Sequence, residues 1–368
     1  MKTIRRLIYN EVISAIAFVA LGFLALLFFF DFVDELQSIG RGMVGDGYQL
    51  RHALLYVVLL IPSHLYDLMP IAVLIGTIFV MARLAQSSEY TILRTSGLGP
   101  WRALRTLLVL GAGFVLLTFA VGDYASPLSD RTAQLLKARY QGRIMVGQTG
   151  AWLKERQQYT SYAANVSAIT ADGGMRGVRI FEFDTRGFLV SMTESSRGRF
   201  GKDNSWLLED VHRSEFMSGG DAPKVDRVHI PNFRWPTEIS AEMVSVALLQ
   251  PDRMKTLDLF QYIRHLNANG QSAQRYEVEF WRKVFYPLSC LVMVVLALPF
   301  AYLHFRSGGI TTYVFGGVMI GISFYLLNNM FGFVGTLRDW PPWITGAAPA
   351  SIYSVISLGA FVWLVLRR

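Results

Sequence analysis

Cysteine is nearly absent from this chain of 368 residues, with Cys290 the sole example. It sits inside an apolar run, so no disulfide can staple the polar middle of the sequence even in an oxidising compartment. That region must rest on an apolar core. Catalytic signatures are missing as well. There is no G-x-x-x-x-G-K-[ST] phosphate loop, no H-E-x-x-H, no paired C-x-x-C and no G-x-S-x-G in a strand-to-helix setting. His52, His64, His212, His229, His265 and His304 are scattered without the spacing of metal ligands. These absences argue against an active site, a bound cofactor or a metal centre in this chain.

What is present in abundance is apolar sequence. Six runs occur, three before and three after a polar insert from Asp123 to Lys283. The first, Val12 to Phe30, contains no charge, and at about 1.5 Å per helical residue it spans roughly 28 Å, the thickness of a bilayer's hydrocarbon. Lys2, Arg5 and Arg6 precede it in the manner of a signal peptide, but no small-x-small cleavage site closes it, so it reads as a retained helix. The other runs are roughly Ile61 to Ala82, Thr106 to Gly122, Val284 to Leu303, Ile310 to Leu337 and Trp343 to Leu366. Prolines and glycines within them are tolerated where neighbouring helices satisfy the freed backbone groups. Gly316, Gly317 and Gly321 suit close helix packing. Trp340 and Trp343 suit an interfacial anchor.

Basic residues give the orientation. Lys2, Arg5, Arg6, Arg83, Arg94, Arg102, Arg105, Arg306, Arg367 and Arg368 fall on one side of the runs, against only Glu11 and Glu89. That side is expected to be cytoplasmic, with both termini on it and the insert outside. This excess equals the whole net charge of +8, and the insert is nearly balanced, so nothing asks for nucleic acid.

The insert reads mostly as strands. Val178 to Phe183 and Phe188 to Thr193 flank the turn residues Asp184-Thr185-Arg186-Gly187 and predict a hairpin. Further strand-like pieces lie at Trp152 to Tyr162, Trp206 to Val211, Glu215 to Met217 and Val225 to Ile230, with turns at Gly173-Gly174 and Gly219-Gly220. An all-β sandwich or jelly roll is expected. Helical connectors at Pro127 to Tyr140 and Leu257 to Lys283 would tie it to the membrane helices. The fold class is thus a polytopic helical membrane protein, six spans arranged 3+3, with an extracytoplasmic jelly-roll-like insert. Its parts are 1–122 (spans one to three), 123–283 (β domain and connectors) and 284–368 (spans four to six).

Two local features invite function. His64 and Asp67, three residues apart, share a helix face near the end of the second span. Asp67 lies only about 8 Å from Pro62 along the helix, which favours a solvated or substrate-lining role over a proton path. Between the second and third spans, the stretch 84–97 offers a capping serine (Ser87 or Ser88), then Glu89-Tyr90-Thr91-Ile92-Leu93-Arg94, and stops at Gly97. A short amphipathic helix along the cytoplasmic surface fits this pattern, either resting on headgroups or entering a cleft on a partner.

At this loop the chain resembles the LptF/LptG permeases that export lipopolysaccharide from the Gram-negative inner membrane. The resemblance rests on Leu84-Ala85-Gln86, Ser88-Glu89, Thr95-Ser96-Gly97, Ser126-Pro127, and the return segment Gly270, Tyr276, Trp281, Lys283, Pro287-Leu288 and Leu296-Ala297-Leu298-Pro299-Phe300. Phe32-Val33-Asp34-Glu35-Leu36 and Gly40-Arg41-Gly42 look more like the LptG branch. The resemblance implies an assembly of an LptF-like permease, an LptG-like permease, an LptB-like ATPase dimer and an LptC-like membrane-anchored protein. ATP and Mg would bind the ATPase. Glu89, Tyr90, Leu93 and Arg94 would form the coupling helix, and the first and fifth helices the lateral gates.

Candidate lipid-contacting residues are Phe30, Phe324, Asn328, Asp34, Asp67, Arg41 and Arg131, apolar groups meeting acyl chains and cations at the rim meeting phosphates. The family can carry lysines just after the first helix, whereas this chain has Asp31, Gln37 and Ser38 there; Arg41, Arg51 or Arg131 are the substitutes, or divalent cations bridging acidic residues to phosphate. Two other readings of the same layout stay open at this point. One is an ATPase-coupled mechanotransmitter that moves no lipid, and the other is a receptor whose helices only anchor a ligand-binding β domain.

Overall fold

The computed structural model describes residues 2–39, 48–87, 89–95, 99–141, 144–145, 150–157, 159–170, 174–201, 205–217, 224–240, 243–244, 251–302 and 309–363. Arg41, Ser88, Gly97, Gly173 and Gly219-Gly220, each singled out above, lie outside the described residues. Two compact units emerge: Met1–Asp34, Val57–Ser129 and Glu277–Arg368 form one, Glu35–Tyr56 and Asp130–Tyr276 the other.

The helices run well past the apolar runs that announce them. α1 covers Lys2–Leu36 and α2 covers Leu50–Gln86, so the second helix starts about ten residues before Ile61. Hydropathy marks where side chains meet lipid, whereas a helix continues for as long as its backbone bonds close and its polar side chains find partners. α3 (Glu89–Thr95) is a short separate helix. Leu84 to Gln86, expected within it, belong to α2. α4 (Pro100–Ala120) passes through a π-helical turn, Val121–Ala125, into α5 (Ser126–Gln141). At that turn a side chain on Gly122 would collide with the Tyr66 ring, and the Gly122 carbonyl accepts a bond from buried Lys283 Nζ at 3.4 Å. A π turn releases carbonyls from the regular ladder, and here a lysine takes one.

After the insert come α6 (Thr256–Ala268), α7 (Gln274–Phe285), α8 (Ser289–Ala297) with a 3-10 turn at Leu298–Tyr302, α9 (Ile310–Leu337) and α10 (Pro342–Phe361). The fourth apolar run is not one straight helix. α7 and α8 meet at 44° across a break that holds Pro287, whose ring excludes the bond to the residue four back. Consecutive i to i+3 bonds, from Leu288 N to Phe285 O through Leu291 N to Leu288 O, carry the chain round it. Among the described residues five helices are long and apolar enough to cross a membrane, or six if this bent pair counts as one span. α2 is the axis of the helical unit, with 78% of its most apolar window buried against 17% for α1 and α9.

The insert forms a seven-stranded antiparallel sheet: β1 Ile144–Met145, β2 Ala151–Arg156, β3 Ser161–Ile169, β4 Met175–Phe183, β5 Leu189–Phe200, β6 Ser205–Met217 and β7 Lys224–Pro236. β3 to β7 follow one another as a meander, while β1 and β2 both pair with β3. The expected hairpin is β4–β5, closed by Asp184 Oδ1 accepting from the N–H groups of Arg186 and Phe188, both at 2.9 Å. The piece Trp152 to Tyr162 is two strands rather than one, reversed by a turn in which Gln157 N donates to Thr160 O. Trp206 to Val211 and Glu215 to Met217 are one strand, β6.

A crease crosses this sheet. Ser167, Gly177, Ser196, Asp210 and Pro231 stand opposite one another by register and drop out of the pairing in turn, although the register is identical on either side. From β4 to β7 the buried and half-buried side chains change parity across the row: Val178 and Ile180 but Met175, Val211 but Trp206 and Leu208, Ile230 but Phe233 and Trp235. Gly177 (φ 61°) and Asp210 (φ 54°) cross the row in the left-handed conformation, whereas Ser167, Ser196 and Pro231 cross it without one. Ser195 Oγ stitches the line by donating to the carbonyls of Arg197 and Glu209 at 2.7 and 2.6 Å. Both sides therefore contribute to one core, centred on Trp206, which is fully buried and donates from Nε1 to Ile239 O at 2.8 Å.

Both units can be probed through a glycine. A valine at position 177 meets both an unfavourable φ and Ser167, whose Oγ lies 2.8 Å from where its Cβ would stand; Gly177→Val should lower the stability of the β domain by about 2 kcal/mol, read as the unfolding midpoint of the purified chain in detergent. In the helical unit a Cβ at Gly76 would lie 2.7 Å from the backbone nitrogen of Ile16. Gly76→Val should lower the midpoint by an amount equivalent to about 1–3 kcal/mol, while Gly22→Ala, with nothing within 4 Å of its Cβ, should leave it within error.

Candidate functional site

α3 follows α2 after two intervening residues and is held by its own chain. Tyr90 is 4% exposed and donates its hydroxyl to that of Tyr302 at 3.0 Å, their rings meeting edge to face at 5.2 Å. Burial pushes the Tyr90 phenol far above its ordinary range, with Tyr302 adding to the shift, so it works as a neutral donor. Arg94 is exposed and lies with its guanidinium 5.8 Å above the Tyr302 ring. Glu89 and Ile92 are exposed, and the Leu93 side chain lies outside the described residues. The helix thus has an anchored side and an open side. Of the four residues expected to face a partner, Tyr90 turns towards Tyr302, and Glu89 stands on the open side, joined there by Ile92. Tyr302 carries no signal in the sequence, because its contact with Tyr90 spans 212 positions.

An apolar pocket of about 680 Å³ opens at this same end of the helices. α1 contributes Asn10 to Val19, α2 Ile75 to Arg83 and α9 Ile310, Thr311 and Val314, with an ion pair between Arg83 and Glu11 at 2.5 Å in its lining. The volume is that of an ordinary small-molecule site. Among the described residues, none of the candidate lipid contacts lines it.

Those residues are dispersed. Phe30 and Asp34 are exposed on α1, Asp67 is exposed on α2, and Arg131 is exposed on α5. Phe324 and Asn328 are buried on α9, where the Phe324 ring packs edge to face with Tyr353 at 5.2 Å. His64 Nε2 meets Asp31 Oδ2 of α1 at 2.5 Å. The Asp67 backbone carbonyl accepts from Tyr286 Oη at 2.5 Å.

In the second unit, Lys137 of α5 has both an acidic and an aromatic partner. Its Nζ lies 2.9 Å from Glu35 Oε2 and 4.6 Å from the Tyr56 ring centre. Tyr48 is buried beside it, and burial, with the charge of Glu35 adding, raises the Tyr48 phenol well above its usual value. The His52 and Tyr140 rings stack at 4.1 Å on the same cluster. A lysine in a polar connector gives no sign of this from the sequence, since Glu35 is 102 positions away.

Comparison with known proteins adds the family. The family model of the lipopolysaccharide export system permeases LptF/LptG matches residues 6–367. The lipopolysaccharide export system permease protein LptG of Escherichia coli (strain K12) is 28% identical over 341 residues, covering 92% of this chain and 90% of that protein. LptG of Haemophilus influenzae is 25% identical over 374 residues, covering 100% of this chain and 99% of that protein. A match of this extent favours the exporter over the mechanotransmitting alternative. Apolar helices of spanning length, a β insert of alternating strands and a near-complete match place the chain in one family: it belongs to the LptF/LptG permeases of the lipopolysaccharide export system.

Proposed function

We propose that this chain is the LptG-type permease subunit of a lipopolysaccharide exporter, extracting the lipid from the inner membrane and passing it to a periplasmic bridge. The match to the permease family over residues 6–367 carries the reading. The subunit would pair with an LptF-like permease, take its energy from an LptB-like ATPase dimer that binds ATP and Mg, and accept an LptC-like membrane-anchored partner. It performs no catalysis itself and needs no cofactor. Six spans are counted with α7 and α8 as one broken span, and the excess of basic residues on one side supports cytoplasmic termini and a periplasmic β domain. The crease supports a jelly-roll-like form for that domain, because strands that switch parity along a line let one meander wrap a single core.

In this reading α3 is the coupling helix. Glu89 and Ile92 enter the ATPase cleft, while Tyr90 and Arg94, seated on Tyr302, pass the displacement to the end of α8. Lipid phosphates meet cations at the periplasmic rim, for which Arg41 and Arg131 are the candidates, and Phe30, Asp34, Asp67, Phe324 and Asn328 are the proposed contacts along the lipid's path.

Charge reversal separates these parts. Glu89→Lys should lower recovery of the ATPase with the tagged chain by about tenfold, near 1.4 kcal/mol, without altering membrane insertion; undiminished recovery would remove α3 as the contact. Arg131→Glu should leave the assembly whole and reduce lipid-stimulated ATP hydrolysis several-fold. Unchanged stimulation would take Arg131 out of the rim.

A further inference from the structure

The histidines look scattered along the sequence, but the sheet brings two of them together on its exposed face. His212 of β6 and His229 of β7 are direct cross-strand partners, their rings 4.9 Å apart. Asp210, two residues before His212, completes a group. Its Oδ1 lies 4.0 Å from His212 Nε2 and 3.8 Å from His229 Nδ1, and one ligand atom from each of the three falls within 4.8 Å of the others. We propose that Asp210, His212 and His229 form a binding site for a divalent transition-metal ion, of the zinc, nickel or copper class, on the solvent face of the β domain.

The donor set selects the metal. Two imidazoles and one carboxylate suit borderline ions, whereas calcium and magnesium prefer oxygen throughout. Bonds of 2.0–2.1 Å in a tetrahedron separate ligand atoms by about 3.4 Å. The three groups must therefore close by about 0.4 to 1.4 Å, and with side chains between 53% and 67% exposed, rotation about their own bonds is enough. Three protein ligands leave a further coordination position open to water or to an oxygen of another molecule.

Asp210 supplies an independent argument. At this row Asp210 adopts a left-handed backbone, the conformation that glycine adopts at position 177. Pro231, opposite Asp210 by register, has no N–H to offer, so the ladder does not constrain Asp210. Glycine would serve the crease here as well and without steric cost. An aspartate in its place sets a carboxylate beside the paired imidazoles.

The test uses the full chain in detergent, purified through a tag without histidine, stripped with EDTA and titrated with Zn²⁺ by calorimetry. One ion per chain should bind, and His212→Gln and His229→Gln should each weaken binding by more than about tenfold, at least the loss that follows removal of an outer-shell partner. Asp210→Gly should weaken binding while keeping or raising the unfolding midpoint, which separates loss of a ligand from loss of the fold. With Cu²⁺ in place of Zn²⁺, electron paramagnetic resonance should show two coupled imidazole nitrogens, reduced to one in either histidine variant. Absence of stoichiometric binding, or binding undisturbed in the double histidine variant, would overturn the proposal. Because the readout is metal binding to this chain alone, it does not depend on the exporter reading.

Discussion

In hydrocarbon, helices gain little by hiding apolar side chains from one another, and association rests on how closely backbones approach. The helical unit is organised by that constraint. α2 lies at its centre, and its neighbours come close where one side of the contact is a glycine: Gly76 against Ile16 of α1, and Gly317 and Gly321 of α9 against Ile78 and Ile71. Elsewhere Gly111 of α4 meets Leu291 of α8, and Gly346 of α10 meets the backbone of Trp281 and Arg282 in α7. Every one of these contacts would lose dispersion attraction if the helices were a methyl group further apart. The broken span is tolerated for the same reason, since its bend brings Tyr286 within reach of the Asp67 carbonyl and sets its ring 5.0 Å from that of Tyr66.

The sequence revealed elements wherever a single local signal decides them. Long uncharged runs found the membrane helices, and Asp184 to Gly187 found the β4–β5 turn. Helix ends were not legible, because Asp31 and Glu35 lie beyond the first apolar run while the structure places them on α1, Asp31 paired with His64 and Glu35 with Lys137. The crease was illegible for a related reason. It depends on five residues from five strands sharing a row, and a row is a property of register. Gly177 alone carried a hint, being a glycine inside a strand. The same holds for His212 and His229, which are unremarkable at their spacing in sequence and adjacent once β6 and β7 pair.

The anchored side of α3 also bears on how the proposed coupling works. A buried hydroxyl pair contributes about 0.5–1.5 kcal/mol and an exposed cation over an aromatic face about 0.5–1 kcal/mol. Held by Tyr302 alone, α3 could be pulled away by any partner that binds it with ordinary affinity. Its position is secured instead by covalent continuity, since two residues separate it from α2 and four from α4. A force applied to α3 is therefore transmitted first to the ends of these helices, and the Tyr90–Tyr302 contact decides whether α8 follows. α8 is linked at its far end to α2 through Tyr286. A displacement shared by α2 and α8 travels as a rigid step, whereas α1 and α9, largely exposed along their lengths, are the helices with least internal packing to break if the unit opens.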